Sequence, residues 1–543
     1  MRPKPWLLAA LAVSLCPGVV SARTSISKVV PQTLADQNPR PGRDIQRPGP
    51  FAPAAAARAI AIQSFVLRSV VVDASSLAPG ELAAAWRPFV GHLLDTNSLP
   101  RITEALEAVY ARADIAMYAV TVETQDVANG VLRIRMLEGS VERAEITAVA
   151  GARNRALVQR YVDKIVAERP LRQSTLQRYV SATRDIPGLD SQVRLETGDA
   201  DGGMRMKLAL RPHPVQLGLA INNQGVAYLG RTQVQADLYF NSVLRQGDQT
   251  RLTVAAPWET RLLQSYSVEQ VEPIGANGLV ATLSANYLRT RPKDTDLLGH
   301  ATTVGVQLSY PLLRSYDQSL VVSLGADGVN NQNAFLGFTF ADDRTRALRA
   351  TVAYDRQAGR LLLAARGALS LGIDGLGARA TERGSGNPDF RKLNGKVGAS
   401  FGLGERATLR LNAAGQWTSE HLPATEQFAL GGAAFGRGYA ASVIAGDYGI
   451  AGSAELAYLP ARMPAVLRGS ESFAFIDGGS IGFKTRSGWA PNHATLASAG
   501  IGVRAKVADR AVVQLEAAKP IDNRLLFLGR RSWRGVATIR ALF

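Results

Sequence analysis

The chain has 543 residues, a formal net charge of +17 and one cysteine, Cys16. That length accommodates several domains. Cys16 lies in an export segment, so the mature chain has no disulfide and no thiol chemistry. No Lys/Arg stripe is interleaved with aromatics, which argues against nucleic acid as a partner.

Arg2 and Lys4 precede an apolar run from Trp6 to Val20, and Val20-Ser21-Ala22 supplies small residues before a cut. Residues 1–22 therefore read as a secretory signal peptide. Beyond them there is no apolar run long enough for a membrane helix. A membrane barrel is still open, because half of each strand faces the lumen and dilutes hydropathy. Residues 23–59 are punctuated by Pro31, Pro39, Pro41, Pro48, Pro50 and Pro53, so no long helix crosses them. They read as a linker, with room for a short helix around Pro31–Gln37.

Between 60 and 212 one order of elements occurs twice. QSFVLRSVVV reads as a strand, and PGELAAAWRPFVGHLL and LPRITEALEAVYARA as helices. MYAVTVETQD and NGVLRIRMLEGSV read as a hairpin turned near Asn129-Gly130. The series restarts at VERAEITAVAG, continues through two helical stretches and ends in a hairpin around Asp199–Gly203. These are two βααββ modules, 60–140 and 141–212.

From 213 to 543 helical periodicity gives way to period-2 alternation. Val234, Ala236, Leu238 and Phe240 alternate with Gln233, Gln235, Asp237 and Tyr239. About sixteen such runs begin near 215, 231, 250, 262, 279, 301, 318, 345, 359, 391, 407, 449, 466, 494, 510 and 533. The last, TIRALF, ends on the aromatic Phe543, as closed outer-membrane barrels do. The fold class is α+β periplasmic modules followed by an all-β, sixteen-stranded antiparallel transmembrane barrel. An even strand count puts both barrel ends on the periplasmic side. The net charge suits anionic headgroups of outer-membrane lipid, and equally an Arg-rich compositional habit.

The longest loop by this count, 420–448, contains FALGGAAFGRGYAASVIAGDYG and lies outside by parity. Arg437 sits between Gly436 and Gly438 and is followed by Tyr439. Downstream, FAFIDGG puts Phe475, Asp477 and Gly479 on one strand face. A carboxylate on a membrane strand needs the lumen or a partner. An inward-folded loop makes Arg437 that partner, as an Arg–carboxylate fork. A solvated Arg437 and a wetted Asp477 satisfy composition as well. His92, His213, His300, His421 and His493 have no metal-ligand spacing, and no catalytic motif is present.

Two tandem βααββ modules, a sixteen-stranded barrel, the RGY loop and the F-x-D-x-G strand resemble the TpsB transporters of two-partner secretion. These are the haemolysin and filamentous-haemagglutinin secretors of the barrel-assembly superfamily. The resemblance implies that the modules are POTRA domains and that Arg437, Gly438 and Tyr439 form a loop latch. It implies that Phe475, Asp477 and Gly479 form the wall motif that receives it. The family's usual apolar residue before the Arg is Gly436 here. The implied activity is export of an unfolded exoprotein, without catalysis or cofactor. The modules would capture that client by β-augmentation, with Tyr118, Val120, Val122, Leu132 and Ile134 as candidate contacts. Phe543 would be the signal read by the barrel-assembly machinery, and periplasmic chaperones are possible further partners. A barrel-insertion factor is the alternative, although such factors commonly carry more modules than the two that fit here.

Overall fold

The computed structural model describes residues 64–543, apart from 128, 149–152, 200–201, 337, 381–385, 485–492, 509 and 523–531. The expected signal peptide, 1–22, and the Pro-rich segment 23–59 lie outside the described residues.

The first module runs β1 (Phe65–Val66), β2 (Ser69–Asp73), α1 (Pro79–Trp86), β3 (Leu93–Leu94), α2 (Leu99–Tyr110), β4 (Tyr118–Thr121) and β5 (Val131–Glu138). Two expectations change. The single strand over 63–72 is split, because β1 pairs with β3 while β2 runs parallel to β5. The switch falls at the fully buried Leu67, whose N–H bonds to the His92 carbonyl at 3.1 Å. The helix expected through 94 ends at Trp86. Pro88 lacks the N–H that a longer helix needs. Ile102, Leu106 and Tyr110 recur at i, i+4 and i+8 on α2, and they share a core with Leu132, Ile134 and Met136 of β5.

The second module runs β6 (Ser140–Ala148), α3 (Arg155–Val166), α4 (Gln173–Asp185), β7 (Leu189–Thr197) and β8 (Gly203–Pro212). Its sheet order, β6-β8-β7, repeats the β2-β5-β4 order of the first. The two modules are stitched together. Ala116 N–H bonds to the Leu171 carbonyl at 2.8 Å, and Leu171 N–H to the Gly139 carbonyl at 3.1 Å. Met117 of the first module is part of the second core. Asp114 accepts the Ser174 N–H at 2.8 Å, satisfying a free donor in the first turn of α4.

The barrel closes through β9 (Val215–Asn222), β10 (Gln233–Asn241), β11 (Gln249–Pro257), β12 (Leu263–Ile274), β13 (Leu279–Thr290), β14 (Leu297–Arg314), β15 (Gln318–Phe335) and β16 (Phe338–Ala358). It continues through β17 (Leu361–Gly372), β18 (Arg391–Leu403) and β19 (Ala407–Trp417). A small hairpin, β20 (Phe428–Leu430) and β21 (Ile444–Gly446), stands outside the barrel order. The wall resumes with β22 (Tyr448–Tyr458), β23 (Glu471–Gly482), β24 (His493–Val507), β25 (Ala511–Pro520) and β26 (Arg534–Leu542), which pairs with β9. Val304, Val306, Leu308, Ile501 and Val503 are exposed on the outside, whereas Asp237, Arg251, Lys392, Glu455 and Asp477 are buried. Apolar outside and polar inside is the pattern of a barrel in lipid.

The wall is uneven. β16 has 21 residues and β9 has 8. At the usual strand rise β16 is roughly 70 Å long, more than a tilted strand needs to cross the bilayer. β16 begins at Phe338, not near 345, because its charged Asp342, Asp343 and Arg344 continue the ladder past the apolar band.

The second module rests on the first periplasmic turns. Asn154 Oδ1 accepts from Ser242 Oγ at 2.6 Å and from Gly247 N–H at 2.8 Å. Arg178 donates to the Asn277 carbonyl at 3.0 Å and to the Tyr310 hydroxyl at 2.8 Å. Arg314 at the end of β14 holds Asp185 of α4 at 2.6 Å.

Candidate functional site: a loop inside the barrel

The segment between β19 and β22, residues 418–447, turns back into the lumen. β20 and β21 pair within it, Phe428↔Gly446 to Leu430↔Ile444. The hairpin end is closed by Gly431, Gly432 and Gly436, with φ of 107°, 92° and 80°. Glycine adopts these left-handed values without a Cβ penalty. Leu430, Phe435, Tyr439 and Ile444 pack against Ala451, Ile481 and Leu496 of the wall. Gly436 is required at its place. A Cβ there would lie 2.5 Å from Leu496 Cδ1, on top of the positive φ. An apolar residue at 436 would strain this φ and displace the end of the Leu496 side chain.

Arg437 is carried by this hairpin to β22, β23 and β25. Its Nη1 contacts Glu455 Oε2 at 2.9 Å and Glu516 Oε2 at 3.4 Å, and its Nε lies 3.5 Å from Asp477 Oδ2. The geometry is not the expected fork. Asp477 accepts the backbone N–H of Arg437 at 3.2 Å and bonds to the Ser498 hydroxyl. The shortest side-chain ion pair of Arg437 is with Glu455. Glu455 also contacts Arg410 at 3.0 Å and Arg504 at 3.4 Å, and both arginines reach Glu471. Arg410, Arg437 and Arg504 thus face Glu455, Glu471, Asp477 and Glu516. Charges so deep in a wall persist because they are paired.

The strand motif makes room for this cluster. Phe475 and Asp477 are lumen-facing and buried. The Arg437 guanidinium lies 4.0 Å from the Phe475 ring centre, a cation–π contact. Arg504 stacks on Phe473 at 4.7 Å. These rings lie over Gly500 and Gly502, their register partners on β24. A Cβ on Gly500 would sit 2.6 Å from Phe475 Cζ. Gly479 leaves space for Leu430, which would be 2.8 Å from an added Cβ. Gly438 donates its N–H to Ser498 Oγ at 3.1 Å, and Tyr439 is buried in the apolar cluster.

Sequence reasoning missed Glu455, Glu516, Ser498, Arg410 and Arg504. The available signal was an acid at a lumen-phase position in GSAELAY and in VQLEAAK. The client contacts need correction. Leu132 and Ile134 have no exposed surface and Val122 is buried, because they fill the first module's core. β5 is central, with both edges paired to β2 and β4, so it cannot accept a client strand. β4, with Tyr118 and Val120 partly buried, is at one edge of this sheet, and β2 is at the other. Phe543 is 62% exposed, and its backbone exchanges bonds with Leu217 at 2.9 and 3.0 Å.

A lipid-faced barrel with a buried loop in its lumen and α+β modules on its periplasmic side defines an outer-membrane transporter of the POTRA-barrel class. The chain belongs to the haemolysin secretion/activation protein ShlB/FhaC/HecB family, whose profile matches residues 208–505. A ShlB-type POTRA profile matches residues 65–139. Members of this family are transporters, and this one is an outer-membrane pore for two-partner secretion. The heme/hemopexin transporter protein HuxB of Haemophilus influenzae is 21% identical over 473 residues, covering 82% of this chain and 81% of its own. The outer membrane transporter CdiB of Escherichia coli is 24% identical over 441 residues, covering 77% and 74%. A solved structure of CdiB from Escherichia coli superposes with a TM-score of 0.76 at 19% identity, covering 100% of this chain and 99% of that one. That likeness supports the fold.

Proposed function

We propose that the periplasmic modules capture an unfolded secreted polypeptide, and that the chain then passes through the lumen after the loop 418–447 is displaced. The observation that carries this reading is Arg437, which ties the loop to carboxylates on three wall strands. A pore closed by charge pairs can be opened without unfolding its wall. Capture by β-augmentation uses the free edges of β4 in the first module and β7 in the second, which acts as a second POTRA domain. The working units are an exported leader 1–22, a linker 23–59, modules 60–140 and 141–212, and the barrel 213–543. Folding of the client outside supplies the driving force. Outer-membrane lipid solvates the apolar band. The barrel-assembly machinery reads Phe543, and periplasmic chaperones keep the client unfolded.

The test is Arg437→Ala in cells that express a cognate exoprotein. Secretion falls while the barrel stays inserted and heat-modifiable on gels. Normal export by an inserted Arg437→Ala protein would falsify the latch.

A further inference from the structure

The loop touches the wall at a second place that the Arg437 cluster does not include. Glu426 ends a short 3-10 turn, Ala424–Glu426, and is buried. Its Oε1 lies 2.9 Å from Arg349 Nη2, and its Oε2 lies 2.5 Å from Lys392 Nζ. Its backbone carbonyl accepts from Lys392 Nζ at 3.0 Å and from Gln416 Nε2 at 3.0 Å. Arg349 also holds Asp327, through Nη2 at 2.9 Å and a shorter Nε contact, and donates to Ser370 Oγ at 2.9 Å. The register pairs Arg349 with Ser370 and Ser370 with Lys392. The receiving groups therefore form one row across β16, β17 and β18. The Arg437 cluster stands on β19 and β22 to β25, and the two sets share no residue.

Lys392 decides what this row is for. Arg349 keeps Asp327 and Ser370 when the loop is gone. The side-chain bonds of Lys392 among the described residues all end on Glu426. Lys392 is itself buried. With the loop removed, the row would hold two cations against Asp327 alone. With the loop seated, Lys392 is buried, and losing the Glu426 charge there would leave its ammonium and Arg349 with only Asp327 to offset them. The wall is thus built to receive a carboxylate from the loop.

We propose that Glu426 is a second positioning residue, which anchors the base of the loop to β16–β18 independently of the Arg437 anchor at its tip. The proposal rests on the reading that the loop must leave the lumen for export. The loop is then a strap fixed to two walls. Breaking the Arg437 contacts frees the tip while the base stays attached, and full withdrawal requires both anchors to release.

The experiment uses the full-length protein in liposomes and planar bilayers, without client. Nitroxides are placed in separate proteins: through Ala424→Cys, beside Glu426 at the base, to follow the Glu426 and Lys392 variants, and through Ala434→Cys, an exposed position near the tip, to follow Arg437→Ala. The readouts are the mobile fraction of the label and the frequency of open-channel events. Glu426→Gln keeps the shape and removes the charge, and should raise both by about tenfold or more. Glu426→Lys should do the same, and adding Lys392→Glu to it should recover part of the restraint. Rescue by exchange is a result that a merely space-filling Glu426 would not give. If Glu426→Gln prevents insertion, Lys392→Met makes the same test from the wall side, and it should release the loop too. Wild-type readouts in an inserted Glu426→Gln or Lys392→Met protein overturn the proposal, as does an exchange that restores nothing. If Glu426→Gln releases the loop and Arg437→Ala does not, the second anchor stands and the latch reading of Arg437 falls.

Discussion

Arg437 faces three carboxylates, and the geometry ranks them. A pair of double-mutant cycles can measure that ranking. The variants are Arg437→Ala, Glu455→Gln, Asp477→Asn and the two doubles that contain Arg437→Ala. The Glu455 contact is a charge-assisted hydrogen bond at 2.9 Å, a class worth about 1.5–3 kcal/mol. Glu455 keeps Arg410 and Arg504 when Arg437 is removed. Its coupling should therefore be about 2 kcal/mol, not the ~3–5 kcal/mol of a buried charge left with no partner. Asp477 differs. Its side-chain contact with Arg437 is 3.5 Å and Arg437 Nε makes no hydrogen bond. The bond it does accept from Arg437 comes from the backbone, which alanine retains. Coupling to Asp477 should stay below about 1 kcal/mol. The loop-release equilibrium, read from a spin label at Ala434, supplies the free energies, since about 1.4 kcal/mol corresponds to tenfold. The Glu455 cycle should show roughly thirtyfold non-additivity and the Asp477 cycle fivefold or less, on the order of those energies. Equal couplings, or a larger one for Asp477, would refute the argument from geometry.

Two further outcomes follow from the packing. Gly500→Ala forces the Phe475 ring off its seat beneath Arg437. It should slow barrel folding and loosen the loop by about 1–3 kcal/mol, and Phe475→Leu should relieve part of that, as measured by heat-modifiable migration and label mobility. Asn154→Ala removes the acceptor of the buried Ser242 hydroxyl and leaves the Gly247 N–H only its 3.2 Å bond to Ser242 Oγ, a loss of about 1–3 kcal/mol. Limited proteolysis should then cut between residues 242 and 248, and an unchanged cleavage pattern would mean that the joint does not depend on Asn154.

Much of the wall is legible in the sequence because period-2 alternation is a local property. β9, β13, β15, β18 and β19 begin at 215, 279, 318, 391 and 407, where the pattern starts. β16 begins earlier than its apolar pattern because alternation against lipid is lost once Asp342 and Asp343 rise past the bilayer, while the hydrogen-bond ladder continues. The split of β1 from β2 is invisible locally. It depends on which distant strand each half finds. The same holds at the site. Arg437 and Asp477 are conspicuous one by one, whereas Glu455 and Glu516 look like ordinary lumen residues until barrel closure brings β22 and β25 toward one hairpin. Glu426 precedes the glycine-dense stretch and carries no local mark of burial. Leu132 and Ile134 misled in the other direction. Alternation identifies a strand, but it does not say whether the apolar face meets a core or a client.

The seat of the second module has a mechanical consequence. Its bonds to the barrel go to Ser242, Val243, Gly247, Asn277, Tyr310 and Arg314, on the turns and strand ends between β10 and β15. The module therefore covers one side of the periplasmic mouth like a porch roof, and the side under β19–β25 is left uncovered by these bonds. The stitching through Met117 and Asp114 makes the two modules one lever. A pull on the outer module is passed through those contacts to the turns that seat the second module. If the modules take up cargo, tension on them meets these turns before it meets the loop, and the force needed to start export depends on the stiffness of that joint as well as on the charges that hold the loop.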